Sequence, residues 1–435
     1  MPGARRRPLA LSLYSALTPL LASVAWKRVR RKLELGGTDP ARFRERQGRA
    51  TLARPDGPLI WFHAASVGES LSVLRLIAHM GSVDPTLHFL ITSGTATSGA
   101  VLSHRLPPRT MHQFAPLDTR TAMRRFLAHW HPEAGIFVES ELWPHMIEEA
   151  DASGVPLALI NARISDNSAR NWRRFAGTAR HIMGHFRLIH CQDARTEAHL
   201  HALGLKQAQT GGNLKAASGP APYDAKSLAA LRAQLGDRPL WVASSTHPGE
   251  EEIVLAAHKT LLKTHPDLLL ILVPRHPERA EAIMAAGTDA IPTWHRRSTD
   301  GDFEPETQVY LADTMGETGL WYMLSPIVFL GGSLTPVGGH NPYEPAHAGA
   351  AVLHGPLYAN FAQAYAEFHA HGGVTEVTKQ DDMARYVAQL LEKPQTLESA
   401  RENARSFAAG QTGFLDEIAT RLTTTLLGGQ ASCRN

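Results

Sequence analysis

The chain has 435 residues, 43% of them hydrophobic and 20% charged. This composition predicts a globular protein, and the length predicts at least two domains. A formal net charge of +3 is too balanced for a protein that coats nucleic acid, although the pI of about 8.9 permits a local basic face. The two cysteines, Cys191 and Cys433, lie far apart and exclude a disulfide scaffold. Cys191 is expected in a buried strand.

The first 35 residues differ from the rest of the chain. The segment from residue 8 to residue 26 carries no charge, and basic residues flank it on both sides. A helix of this length can just cross a hydrocarbon core of about 30 Å. The basic run that follows it favours a cytoplasmic main body by the positive-inside rule. We predict a membrane anchor and basic segment over residues 1–35. A helix that spans the membrane, one that lies in the interface and a buried core helix stay open.

Short apolar runs alternate with amphipathic ones over residues 36–218. Strands are predicted at PLIWFHA, LHFLITS, AGIFVES, VPLALINA and FRLIHCQD, and helices at stretches such as TAMRRFLAHW and TEAHLHAL. Nearly continuous apolar strands that alternate with helices indicate a parallel sheet covered on both faces.

The segment KAASGPAPYDAKS interrupts this rhythm and is predicted to be a linker. The alternation then restarts over residues 219–435, with strands predicted at PLWVASS, DLLLILVPR, QVYLAD, PIVFLGGS and AAVLHG. The sequence therefore predicts two doubly wound α/β domains with a cleft between them. In such sheets ligands bind beyond the carboxyl ends of the strands.

Several familiar motifs are missing from the sequence. GTATSGAV has the glycine spacing of a P-loop but lacks its Lys-Ser/Thr, and no GxGxxG follows the first strand of either half. Asp300-Gly-Asp302 matches the Asp-x-Asp of metal-dependent glycosyltransferases, but it lies in a polar stretch that is typical of a solvated loop. We therefore expect neither a nicotinamide cofactor nor a metal ion.

Polar side chains follow the predicted strands, where a ligand is expected. In the first half they include Glu69, Glu139, Glu141 and Arg163. In the second half the segment Gly338–Glu344 combines paired glycines with a proline and a glutamate at a helix start, which can hold an anion or a sugar. Other polar residues at strand ends of the second half are Thr246, His247, Glu250, Arg275, His276, Met315, Gly316 and Glu317.

Eight motifs in this order resemble the bacterial 3-deoxy-D-manno-octulosonic acid (Kdo) transferases that act on lipid IV(A). They are HAASVGES, FVESELWP, INARISDNSARNWRRF, GGNLK, SSTHPGEE, PRHPER, DTMGETGLWY and GGSLTPVGGHNPYEPA. The resemblance implies the GT-B fold, the donor CMP-Kdo, a lipid A precursor as acceptor, no cofactor or metal, and a location at the cytoplasmic face of the inner membrane. Tyr343 departs from the family, which usually has leucine there.

The resemblance also implies roles for particular residues. Glu69 matches the general base, and a positioned carboxylate can take the proton of a sugar hydroxyl as the new bond forms. The alternative for Glu69 is a helix-capping residue. Glu139, favoured over Glu141, and Lys215 are expected to stabilise charge at the reacting centre. The residues that match the CMP-binding stretches are Pro274, Arg275, Met315, Gly316, Glu317, Asn341, Pro342, Tyr343 and Glu344.

The acceptor site is expected on the first domain. Arg163, Arg170, Arg173 and Arg174 form a basic patch that could face an anionic membrane, with a solvated helix face as the alternative. Two other functions remain open: another GT-B nucleotide-sugar enzyme, such as an epimerase or a transferase with a different lipid acceptor, and a non-catalytic nucleotide-sugar binding module. No motif encodes the number of Kdo units transferred or the acyl pattern of the acceptor.

Overall fold

The computed structural model describes residues 7–288, 291–410 and 413–428. The chain divides into two compact units, one formed by residues up to 217 together with those from 413 onward, and one formed by residues 218–412. The change of unit at residue 218 lies within the segment predicted to be a linker. Cys433 lies outside the described residues.

Among its described residues, the first unit contains a parallel sheet of seven strands in the order β3-β2-β1-β4-β5-β6-β7. The strands are β1 (Leu59–His63), β2 (His88–Ser93), β3 (Thr110–Phe114), β4 (Ala134–Val138), β5 (Leu157–Ala162), β6 (Phe186–Cys191) and β7 (Ala208–Thr210). The helices in the first part of the chain are α1 (Leu9–Leu35), α2 (Val67–Val83), α3 (Ala96–Ser103), α4 (Arg120–Trp130), α5 (Pro144–Ala152), α6 (Asp166–Arg174), α7 (Ala176–Met183) and α8 (Ala194–Ala202).

The strand order of the first unit determines where a ligand can bind. From β1 the chain builds outward to β2 and β3, and it then returns to the other side of β1 with β4. The loops after β1 and β4 therefore leave in opposite directions and open a crevice between them at the carboxyl ends. The side chains of β1, β4 and β5 are buried throughout, as expected for a sheet that helices cover on both faces.

Helix α1 is mostly exposed. Only Leu11 and Leu33 of its side chains are buried, whereas leucine and valine side chains in between face outward. It is the one helix among the described residues that is long and apolar enough to cross a membrane. This exposure contradicts the alternative of a buried core helix.

The end of the chain belongs to the first unit, whereas residues 219–435 were expected to form one domain. Helix α18 (Phe414–Leu422) buries Leu415, Ile418 and Leu422 in the same apolar cluster as Val73 and Leu76 of α2. His79 of α2 also lies 2.8 Å from Asp416. The amphipathic pattern of α18 required a partner surface, but it did not indicate which unit supplies it.

The second unit also contains seven parallel strands among its described residues, in the order β10-β11-β9-β8-β12-β13-β14. They are β8 (Leu240–Thr246), β9 (Leu269–Pro274), β10 (Trp294–Arg296), β11 (Val309–Leu311), β12 (Ile327–Leu330), β13 (Ala351–His354) and β14 (Val374–Glu376). The helices are α9 (Ala225–Leu235), α10 (Glu250–Leu261), α11 (Ala280–Gly287), α12 (Arg297–Asp300), α13 (Thr318–Leu324), α14 (Tyr343–His347), α15 (Ala362–Ala370), α16 (Gln380–Glu392) and α17 (Pro394–Gly410).

The strand order of the second unit reverses in the same way. Strand β8 lies between β9 and β12, and the chain crosses from one side to the other between β11 and β12. The segments that follow β8 and β12 therefore flank the crevice of this unit. The two doubly wound domains predicted from the sequence, and with them the GT-B architecture, are confirmed.

Candidate active site

Glu69 lies in the first turn of α2, immediately after β1. Its carboxylate accepts hydrogen bonds from the backbone N–H of Ala65 at 2.8 Å and from the hydroxyl of Ser66 at 2.8 Å. Ser66 is the N-cap of α2 and accepts in turn from the backbone N–H of Glu69. The sequence Ser-x-x-Glu is that of a capping box, so local structure alone orients this carboxylate. The helix-capping role considered for Glu69 is therefore present.

The surroundings of Glu69 raise its pKa above the ordinary value. Burial is the main cause, and the negative charges of Glu139 and Glu141 add to it, while the hydrogen bonds from Ser66 and Ala65 act in the opposite direction. Each of the two hydrogen bonds occupies one carboxylate oxygen, which leaves lone pairs available. A half-buried carboxylate with a raised pKa is a stronger base than an exposed one.

Glu139 and Lys215, predicted together, also lie together. The ammonium group of Lys215 is 2.7 Å from a carboxylate oxygen of Glu139. Glu139 directly follows β4, across the crevice from Glu69, and has a φ of 58°. This left-handed conformation is uncommon for a residue with a side chain and often marks a functional position.

Asn161 was missed by the sequence analysis. It is fully buried near the end of β5, where its side-chain amide lies 3.4 Å from the Glu139 carboxylate and its oxygen accepts from the backbone N–H of Leu214 at 3.0 Å. It thereby connects Glu139 to the segment that carries Lys215. A buried amide needs hydrogen-bond partners, so the asparagine within the apolar run VPLALINA was the available signal.

Glu141 has partners of its own. Its carboxylate accepts from the indole N–H of Trp143 at 2.5 Å and lies 3.6 Å from Nε2 of the buried His63. Burial opposes its ionisation, but the interactions with His63 and Trp143 outweigh burial and lower its pKa. Glu141 is therefore a fixed negative charge near Glu69, while Lys215 pairs with Glu139. The preference for Glu139 as the residue that stabilises charge at the reacting centre stays a prediction.

The four arginines of the predicted basic patch are grouped on and beside α6. Arg170, Arg173 and Arg174 are exposed, and Arg163 is half-buried. The exposed aromatic ring of Phe175 directly follows them. Exposed cations beside an exposed aromatic ring are compatible with a membrane surface and with a solvated helix face alike.

In the second unit, Glu250 organises the crevice between β8 and β12. Its side chain is fully buried, and the carboxylate accepts from the backbone N–H groups of His247 at 2.9 Å, Gly332 at 2.6 Å, Ser333 at 3.0 Å and Leu334 at 2.8 Å. Four such bonds hold the turn after β12 against the turn after β8. A Cβ at Gly331 would lie 2.7 Å from the backbone of Ser245, which explains why glycine occupies this position.

Two histidines and an arginine lie over this turn. Nε2 of His247 is 3.0 Å from Nε2 of His340, and the two rings stack at an interplanar angle of 13°. Burial lowers the pKa of both, that of His340 to about 4, so His340 is neutral at pH 7. Arg275 is exposed just after β9, and its backbone N–H donates to the carbonyl of Thr246 at 3.0 Å. A guanidinium at this crevice can bind a phosphate.

The predicted segment Met315–Glu317 is a turn whose first two residues are exposed and whose carboxylate has partners within the protein. Gly316 has a φ of 89°, and Met315 is exposed. The Glu317 carboxylate is already held by the guanidinium of Arg297 at 2.9 Å and by the Thr314 hydroxyl. Its contribution to a donor site is therefore indirect, through the shape of this turn.

The motif that begins at Asn341 divides into half-buried and buried residues. The Asn341 amide lies 3.3 Å from the half-buried carboxylate of Glu344, and Pro342 is the N-cap of α14. The Tyr343 ring is 2% exposed and packs against Phe368 and Phe407. Tyr343 is therefore a core residue, and its ring lies among other aromatic side chains. Pro274 is likewise buried, at the end of β9.

The Asp-x-Asp segment is occupied by protein partners. Asp302 pairs with Arg297, and Asp300 accepts from the backbone N–H of Arg296 at 2.8 Å. Among the described residues, one group has the spacing of metal ligands: His354, His369 and Glu376, whose ligand atoms lie within 4.8 Å of one another. His354 and Glu376 end β13 and β14, and His369 lies on α15; the two imidazoles are also within hydrogen-bond distance at 3.1 Å.

Comparisons with known proteins identify relatives of the chain. A family model for 3-deoxy-D-manno-octulosonic-acid transferases matches residues 41–218. A probable mitochondrial 3-deoxy-D-manno-octulosonic acid transferase of Arabidopsis thaliana is 36% identical, over 89% of this chain and 89% of its own. The 3-deoxy-D-manno-octulosonic acid transferase of Rickettsia bellii is 32% identical, over 95% and 99%. A glycosyltransferase structure from Rickettsia africae, 9% identical, covers 86% of this chain and 99% of its own with a TM-score of 0.58, which is a likeness of fold.

Proposed function

The chain belongs to the 3-deoxy-D-manno-octulosonic acid (Kdo) transferase family, a family of glycosyltransferases, and we propose that it transfers Kdo from CMP-Kdo to the lipid A precursor lipid IV(A). The observation that carries this proposal is the Glu69 carboxylate, which local structure orients at the crevice of the first unit and whose pKa is raised. Binding alone would not require such a base.

Glu69 acts in this proposal as the general base. As the acceptor hydroxyl oxygen attacks the anomeric carbon of Kdo, its proton passes to the Glu69 carboxylate. The bond between that carbon and the phosphate oxygen breaks, and CMP leaves with the bonding electrons. Attack from the face opposite to the leaving group inverts the anomeric configuration.

In this proposal, Lys215 and Glu139 stabilise the charge that changes during this step. Kdo carries a carboxylate, and Lys215 offers it a cation, while Glu139 keeps the Lys215 ammonium group oriented at 2.7 Å. The positive φ of Glu139 and its contact with the buried Asn161 support a precise placement rather than an adaptable surface pair.

The second unit provides the donor site in this proposal. Arg275 pairs with the single phosphate of CMP-Kdo, and Glu344 accepts from the ribose hydroxyls. The buried Glu250 keeps the glycine-containing turn in shape for this task. A donor with one phosphate needs no metal clamp between two phosphates, so we propose transfer without a metal or other cofactor.

The acceptor reaches the first unit from a membrane. The exposed apolar face of α1, its basic end and the arginines of α6 all belong to this unit, which also carries Glu69. We place the protein at the cytoplasmic face of the inner membrane, because the basic residues follow the apolar segment on the side of the main body.

Incubation of the full chain with CMP-Kdo and lipid IV(A) in mixed micelles tests the proposal. We expect a lipid product heavier by at least one Kdo unit in the mass spectrum. Release of free Kdo without a lipid product would support a hydrolytic or epimerase-like enzyme, and binding of CMP without turnover would support a nucleotide-sugar binding module.

A further inference from the structure

A cavity of about 330 Å³ lies between α1 and the carboxyl ends of β1, β2 and β3. One wall is a stripe of α1 that includes Thr18, Leu21, Ala22 and Ala25, at the spacing of one helix face. The opposite wall includes Ala65 and Gly94, which follow β1 and β2, and the segment from Ala115 to Thr119 after β3. Arg46, His63 and Asp118 also line the cavity, but most of its lining residues are apolar, which favours an apolar ligand.

Helix α1 stands away from the sheet over this cavity and is fastened on either side of it. The Tyr14 hydroxyl donates to Asp118 at 2.6 Å, and Arg7 pairs with Glu148 at 2.8 Å. At the other end Leu33 is buried, whereas no side chain of α1 between Leu11 and Leu33 is buried. The helix thus closes a space that its own side chains do not fill.

The cavity borders the segment that orients Glu69. Ala65 forms part of its wall, and the backbone N–H of the same residue donates to the Glu69 carboxylate at 2.8 Å. A molecule that contacts Ala65 in the cavity therefore lies next to a hydrogen-bond partner of the candidate base. On its outer side α1 presents Leu17, Leu20 and Val24, which are exposed by 44%, 72% and 65%.

We propose that this cavity binds one acyl chain of the lipid acceptor and thereby places the acceptor hydroxyl at Glu69. The inference rests on the proposed function and adds a subsite to it. An acyl chain gains roughly 0.8 kcal/mol for each methylene group transferred from water, so even a short buried stretch fixes the position of the head group. The exposed face of α1 continues the apolar surface toward the membrane from which the chain enters.

The basic residues at the end of α1 indicate that the occupant of the cavity is the acceptor lipid rather than a lipid of the surrounding bilayer. The last turns of α1 carry the exposed residues Lys27, Arg28, Arg31 and Lys32, directly after Ala25 and the cavity. A phosphorylated lipid with its chain in the cavity brings its phosphate near these cations. Bilayer packing alone requires an apolar helix surface but no cavity beside the segment that orients the candidate base.

A substitution on α1 that fills the cavity with a larger side chain tests this proposal. Ala22→Trp places an indole into it, and Ala16→Trp makes the same change at an exposed position of α1 that does not line the cavity. Initial rates are measured with lipid IV(A) and with its fully deacylated sugar phosphate. We expect Ala22→Trp to raise KM for lipid IV(A) about tenfold or more, because loss of two buried methylene groups already has this effect. Its rate with the deacylated acceptor should match that of Ala16→Trp.

Three results are distinguishable. An equal KM for lipid IV(A) in both variants overturns the acyl site. A loss of vesicle flotation in Ala22→Trp without a change in KM also overturns it, in favour of bilayer packing. Absence of transfer by the unmodified protein to either acceptor contradicts the proposed function instead. Calorimetric titration with CMP, which binds the other unit in this proposal, verifies that both variants are folded.

Discussion

At the residue scale, Glu69 has two roles, as a helix-capping residue and as the candidate general base. Its hydrogen bonds to Ala65 and Ser66 follow from the sequence Ser-x-x-Glu at a helix start, and a capping residue needs nothing more. The raised pKa depends on burial and on Glu139 and Glu141, which lie 70 residues or more away in the sequence. The capping role was therefore predictable from neighbouring residues, whereas the electrostatic role depends on tertiary contacts.

Glu69→Gln tests the base directly. Glutamine keeps the size of the side chain and an oxygen that can accept from Ala65, but it cannot take a proton. We expect turnover at saturating donor to fall roughly 10²–10⁴-fold, while CMP affinity in calorimetry stays unchanged. A near-normal rate would leave Glu69 as a capping residue only and would make Glu139 the next candidate for the base.

Glu141→Gln tests the electrostatics around that base. A base works only when deprotonated, so kcat/KM should fall as the pH drops through the pKa of Glu69. The charge of Glu141 helps to raise this pKa, and its removal should move the acidic limb of the pH profile to lower pH. Glu148→Gln, at a carboxylate that pairs with Arg7 and is not among the groups that raise this pKa, should leave the limb in place. An unchanged limb in Glu141→Gln would contradict Glu69 as the titrating group.

Donor binding by the second unit can be tested at two residues, with a third residue as the control. We expect Glu344→Gln to weaken CMP binding, because a ribose contact exists in the ground state and the transition state alike. Arg275→Ala should weaken it more, since a charge-assisted bond to phosphate is lost. Tyr343→Phe, which removes only a hydroxyl from a buried ring, is the matched control and should bind CMP normally. Normal binding by Glu344→Gln would place the donor elsewhere.

At the scale of elements, the strands that the sequence analysis missed share one property. They are β3, β7, β10 and β14, and each forms an edge of its sheet. Edge strands are short and carry polar residues, as in the three-residue segments Ala208–Thr210 and Trp294–Arg296. Their apolar periodicity is too brief to detect, whereas the central strands are continuous apolar runs because both faces are covered.

Helix α1 is the element whose deletion we expect to disturb the fold least. We expect deletion of residues 1–32 to detach the protein from membranes and to leave it folded, because only Leu11 of the deleted described side chains is buried. Vesicle flotation measures attachment, and a cooperative thermal transition with retained CMP binding shows the fold. Undiminished membrane binding by the truncated form would contradict the anchor, although the arginines of α6 can support weak binding.

At the scale of the whole molecule, the chain begins and ends in the same unit. After the second unit it returns with α18, whose apolar face packs beside α2, the helix that carries Glu69. Helix α18 therefore supports the first unit, and its partners on α2 lie more than 300 residues earlier in the sequence.

The metal independence of the whole enzyme can be tested with a chelator. We expect transfer to continue in excess EDTA, because the Asp302 carboxylate is paired with Arg297 and the donor has a single phosphate. Loss of transfer that added divalent ions restore would contradict a metal-free mechanism. His369→Ala then identifies the cause: if it abolishes the restoration, the group of His354, His369 and Glu376 holds the ion.

The sequence by itself determined the two doubly wound domains, the apolar first helix, the linker and the pairing of polar residues with strand ends. Apolar periodicity and turn residues act over short distances, so they can be read without a structure. Tertiary structure alone decided the burial of Tyr343, the contacts of Asn161 and Glu250 that shape the turns, the return of α18 to the first unit and the cavity beneath α1. Each of these depends on which distant segments meet, and side-chain packing rather than local pattern determines that choice.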